Sequence, residues 1–244
     1  MSIQDAWAVA PDSVPLGPRE VQIWRVTLAR PQSEVARLKG CLAPDEETRT
    51  ERFRFAEHRR RYIVSRGVLR AVLGRALSLP ATEIRFQYGA EGKPALAAEH
   101  QSDVQFNVAH SNELALIAIV RGPALGVDLE YRRELDDAER IARRFFSTRE
   151  LTALMLAPAA ERNATFFRIW TRKEAFIKAT GKGLTQPLAA FSVMAEDGLA
   201  LAHVEVEGTV TCWRLIDLFP HSHYGAALAV WTDGPEIAIN SYQY

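Results

Sequence analysis

The sequence predicts an α+β fold of two similar lobes, each a small sheet packed against a long helix. Apolar residues recur at helical spacing over residues 59–79 and again over about 162–180, and short β-favouring runs follow each stretch. No segment rich in Pro, Gly or Ser separates the halves, which indicates an extensive interface between them. We place the boundary near 122–126 and divide the chain into lobes 1–123 and 124–244.

The first lobe begins with an alternating run at 21–28 that predicts a strand, and Pro31 and Pro44 then delimit a helical stretch. The long helix 59–79 has an apolar stripe on one face, and Pro80 ends it. Short runs separated by Gly, Asn and Ser predict four further strands, at 84–88, 105–109, 114–120 and 125–129.

The second half repeats this order of helices followed by strands. Helical patterns cover 136–145, 148–156 and about 162–180, and Gly181 closes the last of them. Five strands are then predicted, at 190–194, 199–206, 210–218, 224–231 and 237–242.

Composition argues against several classes of partner. Thirty Lys plus Arg balance thirty Asp plus Glu, so no overall field favours nucleic acid or an anionic membrane. The longest uncharged apolar run, 114–120, is too short to span a bilayer. The first twenty residues lack the basic start and apolar core of a secretory signal, and Cys41 and Cys212 lie outside any zinc-binding pattern. We therefore expect a reduced, cytoplasmic protein.

Two acidic residues lie on one face of a predicted strand. In Gly126-Val127-Asp128-Leu129-Glu130, alternation places Asp128 and Glu130 together while Val127 and Leu129 point into the core. A divalent cation would neutralise such a pair, and Mg²⁺ takes carboxylate and phosphate oxygens. A solvated strand end is the alternative that this pattern alone leaves open.

The segment 170–184 combines a charged helix face with a glycine-rich end. Glu174 and Lys178 are four residues apart and share a face, which is also the spacing of an ordinary surface pair. The glycines of 181–183 flank a lysine and would allow close backbone approach to a ligand. A helix C-cap accounts for Gly181 equally well.

A histidine and a glutamate have both a functional and a structural interpretation. His110 follows the predicted strand 105–109, and a lone histidine is more often structural than catalytic. Ser147 and Glu150 form the S-x-x-E pattern of a helix capping box, which by itself explains Glu150.

Basic residues gather before and within the long first helix. A multiply phosphorylated ligand needs several converging cations, whereas a solvated helix face is the alternative. Lys93, held between Gly92 and Pro94, would add another cation. The arginines are Arg49, Arg52, Arg54, Arg59, Arg60, Arg61, Arg66 and Arg70.

Taken together and in this order, five motifs resemble those of the Sfp-type 4'-phosphopantetheinyl transferases. They are Gly92-Lys93-Pro94 and residues 106–111, 126–130, 145–150 and 170–184. The match runs from about Arg49 to Leu184, and the last motif, W-x-x-K-E-A-x-x-K-x-x-G-K-G-L, is the most specific. The resemblance implies two lobes related by a pseudo-twofold axis within one chain. It also implies transfer of 4'-phosphopantetheine from coenzyme A to a serine of an acyl or peptidyl carrier protein, with release of adenosine 3',5'-bisphosphate.

The resemblance further implies a metal site and a base. Asp128, Glu130 and Glu174 would hold Mg²⁺ on the coenzyme A diphosphate, and Lys178 would neutralise charge on the diphosphate or on the departing nucleotide. Glu174 is implied as the base that takes the serine proton, and Glu150 is the rival candidate.

Four basic positions are implied in coenzyme A binding. His110 matches a histidine that contacts a coenzyme A phosphate, and Arg49, Arg61 and Lys93 match positions that hold the nucleotide and its 3'-phosphate. Ala109 stands where many members carry Ser, which removes one hydrogen bond to the ligand.

Carrier proteins of this family are acidic near the modified serine, which suggests a basic docking surface. Arg140, Arg143, Arg144 and Arg149 cluster between the acidic strand and the metal-binding helix. A solvated helix face is the alternative interpretation, and the segment 181–191 is the alternative docking site. We expect the enzyme to act as a monomer.

Two competing functions remain. A Mg²⁺-dependent phosphotransferase or nucleotide hydrolase lacks support, because the sequence has neither a G-x-x-x-x-G-K-[ST] loop nor the kinase motif set. A non-catalytic module that binds carrier protein or nucleotide belongs to a different class. Retention of three carboxylates and Lys178 argues against it, and Mg²⁺-dependent turnover would distinguish the two.

Overall fold

The computed structural model describes residues 7–11, 14–89, 92–181, 183, 186–194, 201–206, 209–232 and 237–244. Within these ranges the α helices are α1 (Gln32–Lys39), α2 (Pro44–Glu51), α3 (Ala56–Leu77), α4 (Ala138–Phe145), α5 (Thr148–Leu156) and α6 (Ala159–Thr180). The strands are β1 (Ala8–Val9), β2 (Glu20–Thr27), β3 (Phe86–Tyr88), β4 (Pro94–Leu96), β5 (Val104–Ser111), β6 (Leu114–Arg121), β7 (Leu125–Tyr131), β8 (Leu201–Val206), β9 (Thr209–Leu218), β10 (Tyr224–Trp231) and β11 (Ala238–Gln243).

The first sheet has the strand order β1-β11-β2-β6-β5. Strands β2, β6 and β5 are antiparallel neighbours, whereas the C-terminal strand β11 runs parallel to β2 and β1. Helix α3 covers one face of this sheet, where Val68 and Leu73 share a buried core with Trp24 and Ile117.

The second sheet is antiparallel throughout, in the order β7-β10-β9-β8. Helix α6 covers one face of it. Ile169 and Phe176 of the helix pack in a core that includes Trp213 of β9 and Ala227 and Ala229 of β10. The small side chains on β10 let the helix lie close to the strands.

The remaining faces of the two sheets pack against each other. Because side chains alternate along β6, Leu116 faces this central core while Ile117 faces α3. Val127 of β7 and Leu228 of β10 join Leu116 there. The layers therefore run helix, sheet, sheet, helix. Strands β5 and β7 meet in the middle, where Asn107 Oδ1 accepts a hydrogen bond from the Val127 N–H at 2.9 Å.

The predicted fold class is confirmed, because each long helix packs against its own sheet. Helix α5 and strand β10 have the predicted bounds, and α6 ends at the predicted Thr180. None of the helices in the described part of the chain has the length and apolarity needed to cross a membrane.

The strand predicted at 190–194 is wrong. A short 3₁₀ turn covers Leu188–Ala190, and the four residues after it are irregular. Side chains satisfy the backbone here in place of a neighbouring strand. Lys173 Nζ donates to two carbonyls of this segment at 2.7 Å, and Glu150 Oε1 accepts from one of its N–H groups at 2.7 Å.

The last strand crosses between the predicted lobes. The boundary at residues 123 and 124 falls between β6 and β7, yet β11 hydrogen-bonds to β2 of the first sheet. A division at that boundary would leave the first sheet without one of its internal strands.

Strand β7 touches helix α6 through backbone atoms at Gly126. A Cβ at this position would lie 2.1 Å from the carbonyl oxygen of Ala175 and 2.4 Å from the nitrogen of Ala179. Only glycine allows so close an approach, because neither backbone atom can rotate away.

We expect Gly126→Ala to lower the free energy of unfolding by about 3 kcal/mol, because the helix must move off the strand. Chemical denaturation measures this change. Gly40→Ala is the matched control: a Cβ there lies 3.4 Å from the nearest atom, the Arg37 carbonyl oxygen, so a change within about 0.5 kcal/mol is expected. A Gly126→Ala protein as stable as the wild type would contradict the close packing.

Candidate active site

Strand β7 presents two carboxylates to helix α6. Val127 and Leu129 lie in the central core, so alternation turns Asp128 and Glu130 toward the helix. Asp128 is only 3% exposed, and its Oδ1 accepts a hydrogen bond from Lys178 Nζ at 2.6 Å. Its Oδ2 is buried and has no hydrogen-bond partner among the residues that the structure describes. A buried carboxylate oxygen without a partner is costly, which makes Oδ2 a candidate ligand for a cation.

A third carboxylate, Glu174, lies one helical turn before Lys178. Burial raises the pKa of Glu174, and the nearby Asp128 and Glu130 raise it further while Lys178 opposes them. Burial and Asp128 likewise raise the pKa of Glu130, whose Oε2 accepts from Ser111 Oγ at 3.2 Å. Burial raises the pKa of Asp128 as well, against the effect of Lys178. The three acids therefore repel one another, and a divalent cation would relieve the repulsion.

The chemistry of this donor set suits Mg²⁺, which prefers carboxylate oxygens. The fit rests on the unpaired Asp128 Oδ2 and on the mutual repulsion of three acidic side chains. In the conformation described, no three His, Cys, Asp or Glu side chains of the described residues are gathered at metal-binding geometry. Asp128 Oδ1 is held by Lys178 instead.

A cavity of about 690 Å³, here called the arginine cavity, brings three of the predicted coenzyme A contacts together. Arg49, Arg61 and His110 all line it. Arg61 Nε donates to Glu113 Oε1 at 3.0 Å, and the Arg49 guanidinium lies over the Tyr62 ring at 5.3 Å. Both arginines are thus oriented by neighbours.

His110 lies close enough to charged residues of both the arginine cavity and the carboxylate site for them to affect its pKa. Desolvation lowers the pKa of His110, and Lys178 and Arg61 lower it further. These effects favour the neutral imidazole, in which one ring nitrogen accepts a hydrogen bond and the other donates one.

A second cavity of about 460 Å³, here called the aromatic cavity, borders the carboxylates from another side. Glu130, Phe166 and Trp170 line it. Ser111 and Asn112 line both cavities, so the two adjoin at the end of β5. This second cavity is not evident in the sequence, where Phe166 and Trp170 belong to the apolar stripe of α6.

Lys93 does not line the arginine cavity. Its Nζ donates to the carbonyl oxygens of Lys178 and Ala179, and Leu125 O lies at 3.4 Å. The predicted contact between Lys93 and coenzyme A stays a prediction, and the ammonium has other partners in this structure.

The end of the motif at 170–184 is described only in part. Gly181 ends α6 with a φ of +70°, and its N–H donates to Ile177 O at 3.0 Å, as expected for a C-cap. Lys182 and Leu184 lie outside the described residues. Close approach of this glycine pair to a ligand therefore stays a prediction.

Comparison with known proteins identifies the family. A model described as "4'-phosphopantetheinyl transferase, N-terminal" matches residues 27–121, and one described as "4'-phosphopantetheinyl transferase superfamily" matches 124–229. The chain is 38% identical to 4'-phosphopantetheinyl transferase HetI of Nostoc sp. over 231 residues, which cover 93% of this chain and 94% of HetI. The chain belongs to the 4'-phosphopantetheinyl transferase family.

Other members of the family are also similar. The 4'-phosphopantetheinyl transferase Sfp of Bacillus subtilis is 32% identical over 73% of this chain and 79% of its own length. Among solved structures, holo-[acyl-carrier-protein] synthase of Thermotoga maritima matches with a TM-score of 0.33 and 18% identity, covering 46% of this chain and 64% of that chain.

Membership confirms the predicted family and enzyme class. A 4'-phosphopantetheinyl transferase moves the phosphopantetheine group of coenzyme A onto carrier proteins, so coenzyme A is the co-substrate. The carboxylates and cations described above lie inside the two matched regions.

Glu150, one of the two predicted bases of this transferase, is fully buried in a structural network. Its carboxylate accepts from the Ser147 N–H at 2.8 Å and the Val193 N–H at 2.7 Å, and it lies 2.8 Å from Lys173 Nζ. The Glu150 and Lys173 side chains are both 0% exposed. Ser147 Oγ accepts from the Glu150 N–H at 3.3 Å, which completes the predicted capping box.

Lys173 is assigned no role from the sequence, although it is the first lysine of the most specific motif. The apolar residues Ile169 and Ile177, four positions away on either side, are the signal that its side chain faces the core. Burial lowers the pKa of Lys173, whereas Glu150 raises it. A buried lysine needs a charged partner, and Glu150 is that partner.

We expect Glu150→Gln to destabilise the transferase by about 3–5 kcal/mol, because the Lys173 ammonium would be left buried without a carboxylate. Transfer per folded molecule should stay within a few-fold of the wild type. Urea unfolding and single-turnover transfer measure the two effects separately.

The matched control for this variant is Glu139→Gln, which breaks an exposed pair with Arg143. An exposed pair contributes at most about 1 kcal/mol, so little change is expected. Normal stability of Glu150→Gln with transfer reduced by orders of magnitude would restore Glu150 as the base.

Proposed function

We propose that this transferase is Mg²⁺-dependent and that Asp128, Glu130 and Glu174 hold the ion, with Lys178 beside them. The observation that carries the proposal is the meeting of these four charged side chains between β7 and α6. When bound, Mg²⁺ would supply positive charge next to the diphosphate of coenzyme A.

Two adjoining cavities support a reaction between two substrates. The arginine cavity offers Arg49, Arg61 and His110 to the phosphates of the nucleotide. The aromatic cavity beside Glu130 offers an apolar wall to the pantetheine arm, and the carrier serine would reach the phosphorus where the cavities meet. Positioning and charge neutralisation would then provide most of the acceleration.

The transfer requires a proton acceptor for the attacking serine. The serine oxygen forms a bond to phosphorus, and the bond from phosphorus to the oxygen of adenosine 3',5'-bisphosphate breaks. Glu174 is the better candidate base, because it is only half-buried and lies among the charged side chains between β7 and α6. Glu150 is fully buried, and both of its oxygens have partners.

We also propose that the partner is an acyl or peptidyl carrier protein and that the enzyme works as a cytoplasmic monomer built from the lobes 1–123 and 124–244, with strand β11 of the second lobe completing the first sheet. The balance of thirty basic and thirty acidic residues supports a local docking surface rather than a nucleic-acid or membrane partner. Both cysteines, Cys41 and Cys212, are free, which agrees with a reducing compartment. Sedimentation at several protein concentrations tests the monomer.

The decisive experiment is intact mass of several apo carrier proteins after incubation with the enzyme, coenzyme A and Mg²⁺. We expect a gain equal to one phosphopantetheine on a serine. Asp128→Ala, Glu130→Ala and Glu174→Ala should each fold and lose transfer by about 100-fold or more, because one charge-neutralising group is removed. Titration calorimetry with Mg²⁺ alone should show weaker binding in each variant.

Glu99→Ala is the control, because Glu99 is an exposed acid that lines neither the arginine cavity nor the aromatic cavity. Substantial transfer by any two of the three site variants would overturn the assignment. A non-catalytic module predicts coenzyme A binding with no change in carrier mass.

Helix α4 carries most of the proposed docking patch. Arg140 pairs with Asp137 at 2.5 Å, and Arg143 pairs with Glu139 at 2.6 Å. Arg140 and Arg143 remain 77% and 59% exposed, and exposed pairs of this kind are weak. The arginines are therefore accessible to acidic groups of a partner, although part of their charge is already offset.

We expect Arg143→Glu with Arg144→Glu to raise KM for the carrier protein by roughly tenfold and to leave KM for coenzyme A within about twofold, because surface charge acts on encounter and orientation. Steady-state kinetics at two salt concentrations measure both values. Arg37→Glu with Lys39→Glu makes the same charge change on exposed positions of α1 and should leave both KM values unchanged. An unchanged carrier KM in the α4 variant would move docking elsewhere, first to the 181–191 segment.

A further inference from the structure

The ammonium of Lys93 bridges the two predicted lobes. Lys93 immediately precedes β4 in the small hairpin of β3 and β4. Its Nζ donates to the carbonyls of Lys178 and Ala179 at the end of α6, and it also reaches Leu125 O at the start of β7. An ammonium has three donors, so these three acceptors match its hydrogen-bonding capacity.

The carbonyls that Lys93 binds lie at the C-terminal end of α6, where backbone carbonyls lack hydrogen-bond donors from the helix itself. The last carbonyls of an α-helix have no intrahelical partner, and a cation placed there is favourable. The Gly181 N–H donates to Ile177 O, the carbonyl just before the two that Lys93 binds. Lys93 therefore caps α6 from a hairpin outside the second sheet. A Cβ on Gly181 would lie 3.9 Å from Lys93 Cδ, so the lysine stem packs along this cap.

The elements that Lys93 joins are those that carry the Asp128–Lys178 pair. Lys93 holds the backbone carbonyl of Lys178, while the Lys178 side chain holds Asp128 Oδ1 at 2.6 Å. Leu125 lies three residues before Asp128 on β7. A shift of the end of α6 relative to the start of β7 would therefore change the geometry of the pair directly.

The acceptors of Lys93 also bear on its predicted role toward coenzyme A. Arg49, Arg61 and His110 line the arginine cavity, whereas Lys93 lines a different cavity of about 740 Å³ together with Thr180. A phosphate would have to displace carbonyls that already take the lysine donors.

We propose that Lys93 is a positioning residue of the transferase: it clamps the C-terminal end of α6 to the start of β7, and so holds Lys178 and Asp128 in register, without contacting a phosphate of coenzyme A. The kinetic part of this inference rests on the proposed function. The clamp itself does not, because it is a property of the folded chain.

The kinetic test is Lys93→Met, which keeps most of the stem and removes the ammonium. We expect kcat to fall by about tenfold to 100-fold, because small misplacements of reacting groups cost that much. KM for coenzyme A should stay within about threefold of the wild type, since a residue that binds no phosphate contributes nothing to ground-state affinity. The ratio of KM for coenzyme A to KM for 3'-dephospho-coenzyme A should not change.

Two variants calibrate this result. Arg61→Met removes a proposed phosphate contact and should raise KM for coenzyme A. Lys39→Met removes an exposed lysine at the end of α1 and should change neither parameter. If Lys93→Met does not fold, Lys93→Gln retains two amide donors for the carbonyls and should show a smaller loss of kcat.

Hydrogen exchange tests the clamp without any turnover. Peptides from the last turn of α6 and the start of β7 should exchange faster in Lys93→Met than in the wild type, with no change in Lys39→Met. Faster exchange together with absence of transfer by the wild type would refute the proposed function and leave the clamp intact. Unchanged exchange would overturn the clamp. A tenfold rise in KM confined to coenzyme A, with kcat retained, would show that Lys93 binds the 3'-phosphate.

Discussion

Backbone contact between strand β7 and helix α6 fixes the spacing between the two elements that carry the acidic residues of the candidate site. At Gly126 the two elements touch without an intervening side chain, and Ala175 and Ala179 face the strand from the helix. A strand this close to a helix leaves the next inward residue, Asp128, in a narrow buried space. A carboxylate there cannot be solvated, so it needs cations from the helix or from solution. Lys178 supplies one, and the unpaired Oδ2 leaves a place for another.

Two consecutive residues of helix α6, Lys173 and Glu174, carry charges that lie in different parts of the molecule. Successive residues of an α-helix point about 100° apart, so Lys173 and Glu174 face different surroundings. Lys173 is fully buried against Glu150, and its Nζ holds the segment 188–194 by donating to the carbonyls of Leu188 and Phe191. Glu174 stands among the acids of β7. The charged pair of Glu150 and Lys173 is tolerated inside the core because both side chains have hydrogen-bond partners as well as each other.

The features that could be predicted from the sequence are those that depend on the local spacing of apolar residues. The face of β7 and the course of α6 follow from alternation and from helical spacing, and both agree with the structure. The partner of β11 could not be predicted, because strand pairing across more than 200 residues leaves no local pattern. The irregular 191–194 segment was predicted as a strand because a short run of buried apolar residues occurs both in strands and in irregular segments that pack on the core. The contacts of Lys93 are with backbone carbonyls, which every residue possesses, so no motif records them.

Not every basic residue counted in the sequence is available to bind a ligand, because some arginines already pair with carboxylates of the protein. Arg70 is 1% exposed, and its guanidinium donates hydrogen bonds to Glu46 and to backbone carbonyls, so it supports the fold. Arg61 lines the arginine cavity, yet it already binds Glu113. That carboxylate orients the guanidinium in advance, and it also competes with any anion that enters. A singly charged ligand gains little by displacing it. A ligand with several phosphates offers more charge and more acceptors, and it can share the arginine with Glu113 while it reaches His110 and Arg49. In the proposed site, the pairing of Arg61 with Glu113 would therefore favour a multiply phosphorylated nucleotide over simple anions.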